Sequence, residues 1–331
     1  PRYRYKLFNA ANGTANEQAV QIEFEKASAD KSTGTKNGEW LTHPAFTFGN
    51  TELPGFWAAK FEASGSTDNY QIKPNQKSLT SINLATMYNT SRSTILNASK
   101  YGLNNNADTH MMKNMEWGAI AFLTNSIYGR YNAASTCIAS GCEVWINNIN
   151  TGSTGSNGPS ITGCSGSSTS AGVSSSKTAC ASGYDWKNKG VNASTTGNQY
   201  GIYDMSGGAW EYVMGVQKDS SGNVQVASSG FSTSSLPDSK YYDLYDYQAA
   251  DGVGYTRYHL GDATREILKN TSSHGGNAWW SDYSYNIYSS YPWVHRGGSY
   301  SDGTYAGVFT FSWTNAGGTT HSSFRSVLTA G

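Results

Sequence analysis

The sequence predicts a single large α+β domain, loop-rich, with two main helices and short antiparallel sheets. Three observations point there: short stretches of period-two alternation, two segments with helical periodicity, and long connections rich in Gly, Ser, Thr and Asn. The chain has 331 residues, with 37 Gly, 7 Pro, 10 Trp, 23 Tyr and 11 Phe. Charged residues make up 14%, too few for a disordered chain or a long solvated helix. The 23 basic side chains balance 23 acidic ones, so neither nucleic acid nor an anionic membrane finds an electrostatic footprint. No stretch approaches the roughly 18–20 apolar residues of a membrane span, and direct membrane insertion of this chain is not expected. No signal peptide is visible at Pro1, and the missing initiator Met leads us to expect a trimmed chain, preceded by a leader, an anchor or an assembly segment.

Residues 1–50 read as an arm of short strands and loops, a candidate assembly segment, opening on the alternation Tyr3-Arg4-Tyr5-Lys6-Leu7-Phe8. Residues 51–331 form the main domain. Its first element, Leu53 to Glu62, puts aromatic and charged residues at period two behind Pro54-Gly55, as in a half-buried strand. Helices are expected over Ser81–Ser93 and over Asp108–Leu123, the second with Met112, Met115, Ala119, Phe122 and Leu123 at three- or four-residue spacing behind an Asp108 or Thr109 cap.

Residues 131–196 read as a surface insertion: their polar, Gly-rich composition cannot bury enough apolar area to offset the entropy of ordering. The insertion holds all four cysteines, Cys137, Cys142, Cys164 and Cys180. Short loops favour Cys137 with Cys142 and Cys164 with Cys180, with a nested pairing left open. Zinc is the competing reading, but the window has no His and no paired C-x-x-C. Disulfides imply an oxidising compartment. Residues 216–290 are loop-like, with Tyr-rich islands.

Three later motifs carry more information. The first is Tyr200-Gly201-Ile202-Tyr203-Asp204-Met205-Ser206-Gly207-Gly208-Ala209-Trp210-Glu211-Tyr212, in which a Gly pair permits a positive-φ turn before a strand. That strand places Trp210 and Tyr212 on one face and Glu211 on the other. The second is His295-Arg296-Gly297-Gly298-Ser299-Tyr300, and the third Ser323-Phe324-Arg325-Ser326. A buried Glu211 needs a partner, for which Arg296 and Arg325 are the candidates. Trp210 and both arginines are read as structural.

In this order the three motifs resemble the signature of the formylglycine-generating, sulfatase-modifying domain family, with Glu116-Trp117 matching its E-W element. The resemblance spans at least residues 53–331 and implies a C-type-lectin-like fold, with Trp117, Trp210, Glu211, Arg296 and Arg325 as framework. The family's oxidases bind copper through two cysteines between the second and third motifs. Between Arg296 and Arg325 this chain has none. Related iron enzymes need a His-rich helical motif, whereas the closest histidines here, His259 and His274, are 15 residues apart. Gly208 also stands where the family has an Asn near a calcium position. An oxidase is therefore the least favoured expectation, and no cofactor is expected, with calcium left open.

What remains resembles the retroelement-diversified variable proteins of the same fold, and an exported, pilin-like type of bacterial protein. This resemblance implies a ligand face between Arg296 and Arg325, formed by Ser299, Tyr300, Asp302, Thr304, Tyr305, Phe309, Phe311, Trp313, Asn315 and His321. A turn at Ser301-Asp302-Gly303 would display Tyr300 and Tyr305 at a hairpin tip. Tyr, Trp, Ser and Asn dominate recognition surfaces because they give contact area at low entropic cost. His110, His295 and His321 are the candidates for a metal cluster, or for a base beside Ser299, with ordinary satisfied histidines as the default. The expected protein is a non-enzymatic, extracellular adhesin or receptor-binding module on a cell surface, filament or virion, taking a protein or glycan ligand. A self-assembling filament or virion subunit is the alternative.

Overall fold

The computed structural model describes residues 1–11, 14–26, 30–94, 102–103, 107–135, 160–165, 185–271 and 274–330. Strands β1 (Tyr3–Lys6), β2 (Ile22–Phe24) and β3 (Trp40–Thr42) form an antiparallel sheet with β1 in the middle. The predicted alternation holds: Tyr3 and Tyr5 are buried while Arg4 and Lys6 are half-buried. Within residues 1–50, Tyr3, Tyr5 and Leu7 join the main apolar core together with Trp117, Phe122 and Phe311. The Tyr3 hydroxyl donates to the Ala119 carbonyl at 2.6 Å, so the polar end of that buried ring is satisfied.

Two short ladders follow, β4 (Thr47–Phe48) with β5 (Thr51–Glu52) and β7 (Ser64–Gly65) with β8 (Tyr70–Gln71), separated by β6 (Trp57–Ala58). The strand expected over Leu53–Glu62 is thus confined to two residues. Beyond it the backbone pairs discontinuously, Ala59 N–H to the Ser326 carbonyl and Ala63 N–H to that of Phe324.

The first helix, α1 (Leu84–Asn89), starts later than expected because Asn83 caps it, accepting the Thr86 N–H. The second predicted helix divides. Its first residues become β9 (Ala107–Met111), paired antiparallel with the C-terminal strand, and α2 (Asn114–Thr124) starts where Glu116 folds back to accept the Lys113 N–H at 2.8 Å. Nearly all of α2 is buried, as befits a helix with protein on every side.

The largest sheet combines β10 (Trp210–Gln217), β11 (Asp243–Tyr245), β12 (Trp293–Gly297), β13 (Gly307–Thr314) and β14 (Ser322–Phe324). It is mixed: β10–β12 and β12–β13 are antiparallel, whereas β11 and β14 run parallel to different halves of β10. The last strand, β15 (Ser326–Ala330), lies between β6 and β9. The architecture is therefore mixed α+β and loop-rich, with two helices and several short sheets. Among the described residues no helix is long and apolar enough to cross a membrane.

The described parts of the 131–196 segment correct the reading of a surface insertion. Ser160, Ile161, Thr162, Cys164 and Ser165 are buried, as are Ser194, Thr195 and Thr196. Hydrogen bonds make this burial cheap: the Ser160 hydroxyl donates to Glu62 and that of Thr162 to the Lys73 carbonyl. Cys164 is disulfide-bonded, while Cys137, Cys142 and Cys180 lie outside the described residues.

The first and third motifs meet in one buried ion pair. Arg325 meets Glu211 through Nε at 3.0 Å and through Nη2 at 2.5 Å, and donates to the carbonyls of Ala59 and Tyr203 at 2.6 and 2.7 Å. Of the two candidate partners for Glu211, Arg325 is the observed one. Arg296 instead donates to the Asp262 and Ala263 carbonyls, and its guanidinium lies 5.7 Å from the Trp117 ring. Trp117 is itself tied by its indole N–H to the Val308 carbonyl at 2.7 Å. Truncating Arg325 to Ala would leave Glu211 charged and unpaired in the core, so we expect a loss of about 3–5 kcal/mol. Equilibrium urea unfolding of the variant beside the wild type measures it.

Candidate functional site

Ten residues between Ser299 and His321 were expected to form a display face, and burial divides them. Tyr300, Phe309 and Phe311 are core residues, and Ser299 is buried with them. Phe309 packs edge-on against Trp279 and Phe311 against Tyr258. Tyr300, only 4% exposed, packs with Ile161 and Cys164, because the segment that carries them lies over it. Thr304, Tyr305 and His321 are exposed, and Asp302, Trp313 and Asn315 half-buried.

The connection between β12 and β13 is a braced loop with a single short helical turn, Gly303–Tyr305. Asp302 holds it, accepting the Ser299 N–H at 2.6 Å, the Ser299 hydroxyl at 2.8 Å and a hydrogen bond from the Trp210 side chain. Trp210 stacks on His295 with ring centres 3.8 Å apart. Burial, reinforced by neighbouring His321, keeps the His295 imidazole well below its ordinary pKa and therefore neutral. The Ser299 hydroxyl gives its proton to an aspartate and not to a histidine, an order that does not activate a nucleophile. His110 is held between Asp108 at 3.2 Å and Glu116 at 2.9 Å, with no part in the His295–His321 pair. Among the described residues no group of three or more His, Cys, Asp or Glu is placed to hold a metal.

Tyr305 and Trp313 pack with tyrosines that sequence reasoning did not single out. Segment 283–285 lies along β13: Tyr283 N–H meets the Tyr305 carbonyl, Phe311 N–H the Tyr283 carbonyl, and Tyr285 N–H the Phe311 carbonyl. This places Tyr283 flat against Tyr305, 4.7 Å between centres and 14° between planes, with Tyr285 beside it and His274 edge-on to Tyr285. Farther along, Tyr288 and Tyr291 enclose Trp313, with centres at 5.9 and 4.3 Å. All four tyrosines of this segment stay half-buried, and Tyr305 is 45% exposed. Gly276 lets the Tyr305 ring approach closely: a Cβ at that position would lie 3.0 Å from it, and the ring would have to give slightly.

Two further observations mark this face. Trp280 and Ser281, immediately before it, both adopt left-handed backbone angles, with φ of 63° and 68°. Non-glycine residues in that region cost about 1–3 kcal/mol each, and such strain collects at functional sites. The buried Trp313 indole N–H finds no hydrogen-bond partner among the described residues. The sequence signal was available as the spacing of Tyr283, Tyr285, Tyr288 and Tyr291, but a tyrosine island in a loop has no period that assigns its face. No family model matches the chain, and no curated protein matches it.

A second constellation lies in the core. Glu62, Asp204 and Glu211 share the core with Arg325, three carboxyls to one guanidinium. Burial, reinforced by Asp204 and Glu211, pushes Glu62 well up. Burial also lifts Asp204 to about 7 against the pull of Arg325 and the N–H groups of Gly163 and Glu62. The folded chain thus holds protons that the unfolded chain releases, so this contribution is full below the ordinary carboxylate range and is lost as pH rises towards about 7. We expect Asp204→Asn to remove about 2–4 kcal/mol of that decline. Denaturation midpoints of variant and wild type across the interval from about pH 4 to about pH 8 test it; parallel curves would refute it.

Proposed function

We propose that this protein is a non-enzymatic recognition module of C-type-lectin-like type, displayed outside the cell on a bacterial surface, filament or phage particle. It binds a protein or glycan ligand through the aromatic face formed by Tyr283, Tyr285, Tyr288, Tyr291, Tyr305 and Trp313. The observation that carries this reading is the fixed, part-exposed packing of Tyr283 on Tyr305 and of Tyr291 on Trp313. Rigid aromatics bind with little further loss of freedom. The low charge of the chain fits recognition by shape and stacking. No cofactor is required by this reading.

The test is the triple variant Tyr283→Ala, Tyr305→Ala, Trp313→Ala, assayed on a glycan array and by flow cytometry on intact bacterial and eukaryotic cells. Binding by the wild type that falls at least roughly tenfold in the variant, while the near-ultraviolet dichroism of the core persists, is the expected result. Undiminished binding by the variant would overturn the reading, as would a wild type that binds no glycan and no cell.

A further inference from the structure

A hollow of about 460 Å3 opens beside α2, away from the residues of the aromatic face. Its walls come from five separate stretches of chain: Pro1 and Tyr3; Phe46; Phe56 and Trp57; Leu123 on α2; and Ile202. No charged side chain lines it; the Pro1 amine does, and burial lowers its pKa toward the neutral form, while the Tyr3 hydroxyl at the wall is already bonded to the Ala119 carbonyl. Protein interiors are close-packed, and an apolar void of this size forfeits contacts along its whole lining. Trp57 adds a second anomaly. Its side chain is 74% exposed at the edge of the hollow, the most exposed large apolar group among the described residues. Exposed apolar surface flanking a concave apolar site is where a missing occupant is to be sought.

We propose that this hollow is a binding site for a small, uncharged, largely hydrocarbon molecule, with Trp57 closing over it. The volume falls within the 300–1,000 Å3 of small-molecule sites, where apolar and aromatic walls supply affinity. No side-chain charge is present to pair with an ion, and burial already disfavours the charged form of the one ionisable group besides the Tyr3 and Tyr200 hydroxyls, the Pro1 amine, so a charged ligand is penalised there far more than a hydrocarbon. A lining of aromatic and branched aliphatic groups suits a molecule with a ring. The site shares no lining residue with the aromatic face, so the two stand or fall independently.

The probe is N-phenylnaphthylamine, neutral and fluorescent in apolar surroundings, titrated into the full chain, with its charged relative anilinonaphthalene sulfonate as comparator. Saturable binding of one neutral probe per chain, with quenching of Trp57 emission, is expected. Leu123→Trp, which fills the hollow from α2, should weaken it roughly tenfold, and Trp57→Ala should weaken it and abolish the quenching. Ile202→Trp fills the hollow from the opposite stretch and serves if Leu123→Trp fails to fold. Equal binding of the charged comparator, or undiminished probe binding to a folded, filled variant, overturns the proposal. So does a concentration-dependent dimer in sedimentation that excludes the probe and is lost in Trp57→Ala, since the occupant is then a second copy.

Discussion

The Arg325–Glu211 pair is the constraint on which the rest of the structure depends. One guanidinium ties four segments: the β14–β15 junction that carries it, Glu211 on β10, the carbonyl after β6 and the carbonyl of Tyr203. Each is a place where a backbone or carboxylate oxygen would otherwise be buried without a donor. A planar fork with five donors suits this position, and Lys would serve fewer of these acceptors. The pair does not neutralise its surroundings. With Glu62 and Asp204 nearby, the core retains acidic groups beyond what Arg325 balances, and their protons are held by burial.

From that centre the order propagates outward along β10. The turn at Gly207 and Gly208, with φ of 75° and 76°, delivers Trp210 to its stack on His295, and Trp210 in turn donates to Asp302. The backbone of the next loop is pinned a second time, Tyr300 N–H to the Gly208 carbonyl at 2.7 Å. The same few residues therefore fix the sheet, the loop between β12 and β13, and the strand edge on which the exposed rings are stacked.

Legibility in the sequence followed locality. The alternation of β1, the Gly pair and the need of Glu211 for an arginine are local statements or chemical necessities, and each reads off the chain. Tyr300 does not, because what buries it is Ile161 and Cys164, more than a hundred residues away in a segment whose composition argues for solvent. The split of the second predicted helix escaped for a similar reason: Ala107 to Met111 have no strand pattern of their own and are drawn into one by β15. The tyrosines of 283–291 and the hollow beside α2 depend on several chain segments meeting, and neither leaves a periodic trace.

The burial of Tyr300 changes what the neighbouring loop is able to do. A nine-residue connection between two strands would ordinarily lose conformational freedom on meeting a ligand, and that loss would be charged against affinity. Here residues 298–306 are ordered beforehand, by Asp302 from within, by Gly208 through the backbone and by the Ile161–Cys164 segment from above. Cys164, which is disulfide-bonded, lies in the segment that covers Tyr300. Tyr305 thus stacks on Tyr283 at an angle set by the core, and the loop contributes a rigid surface where its composition alone would suggest a flexible one.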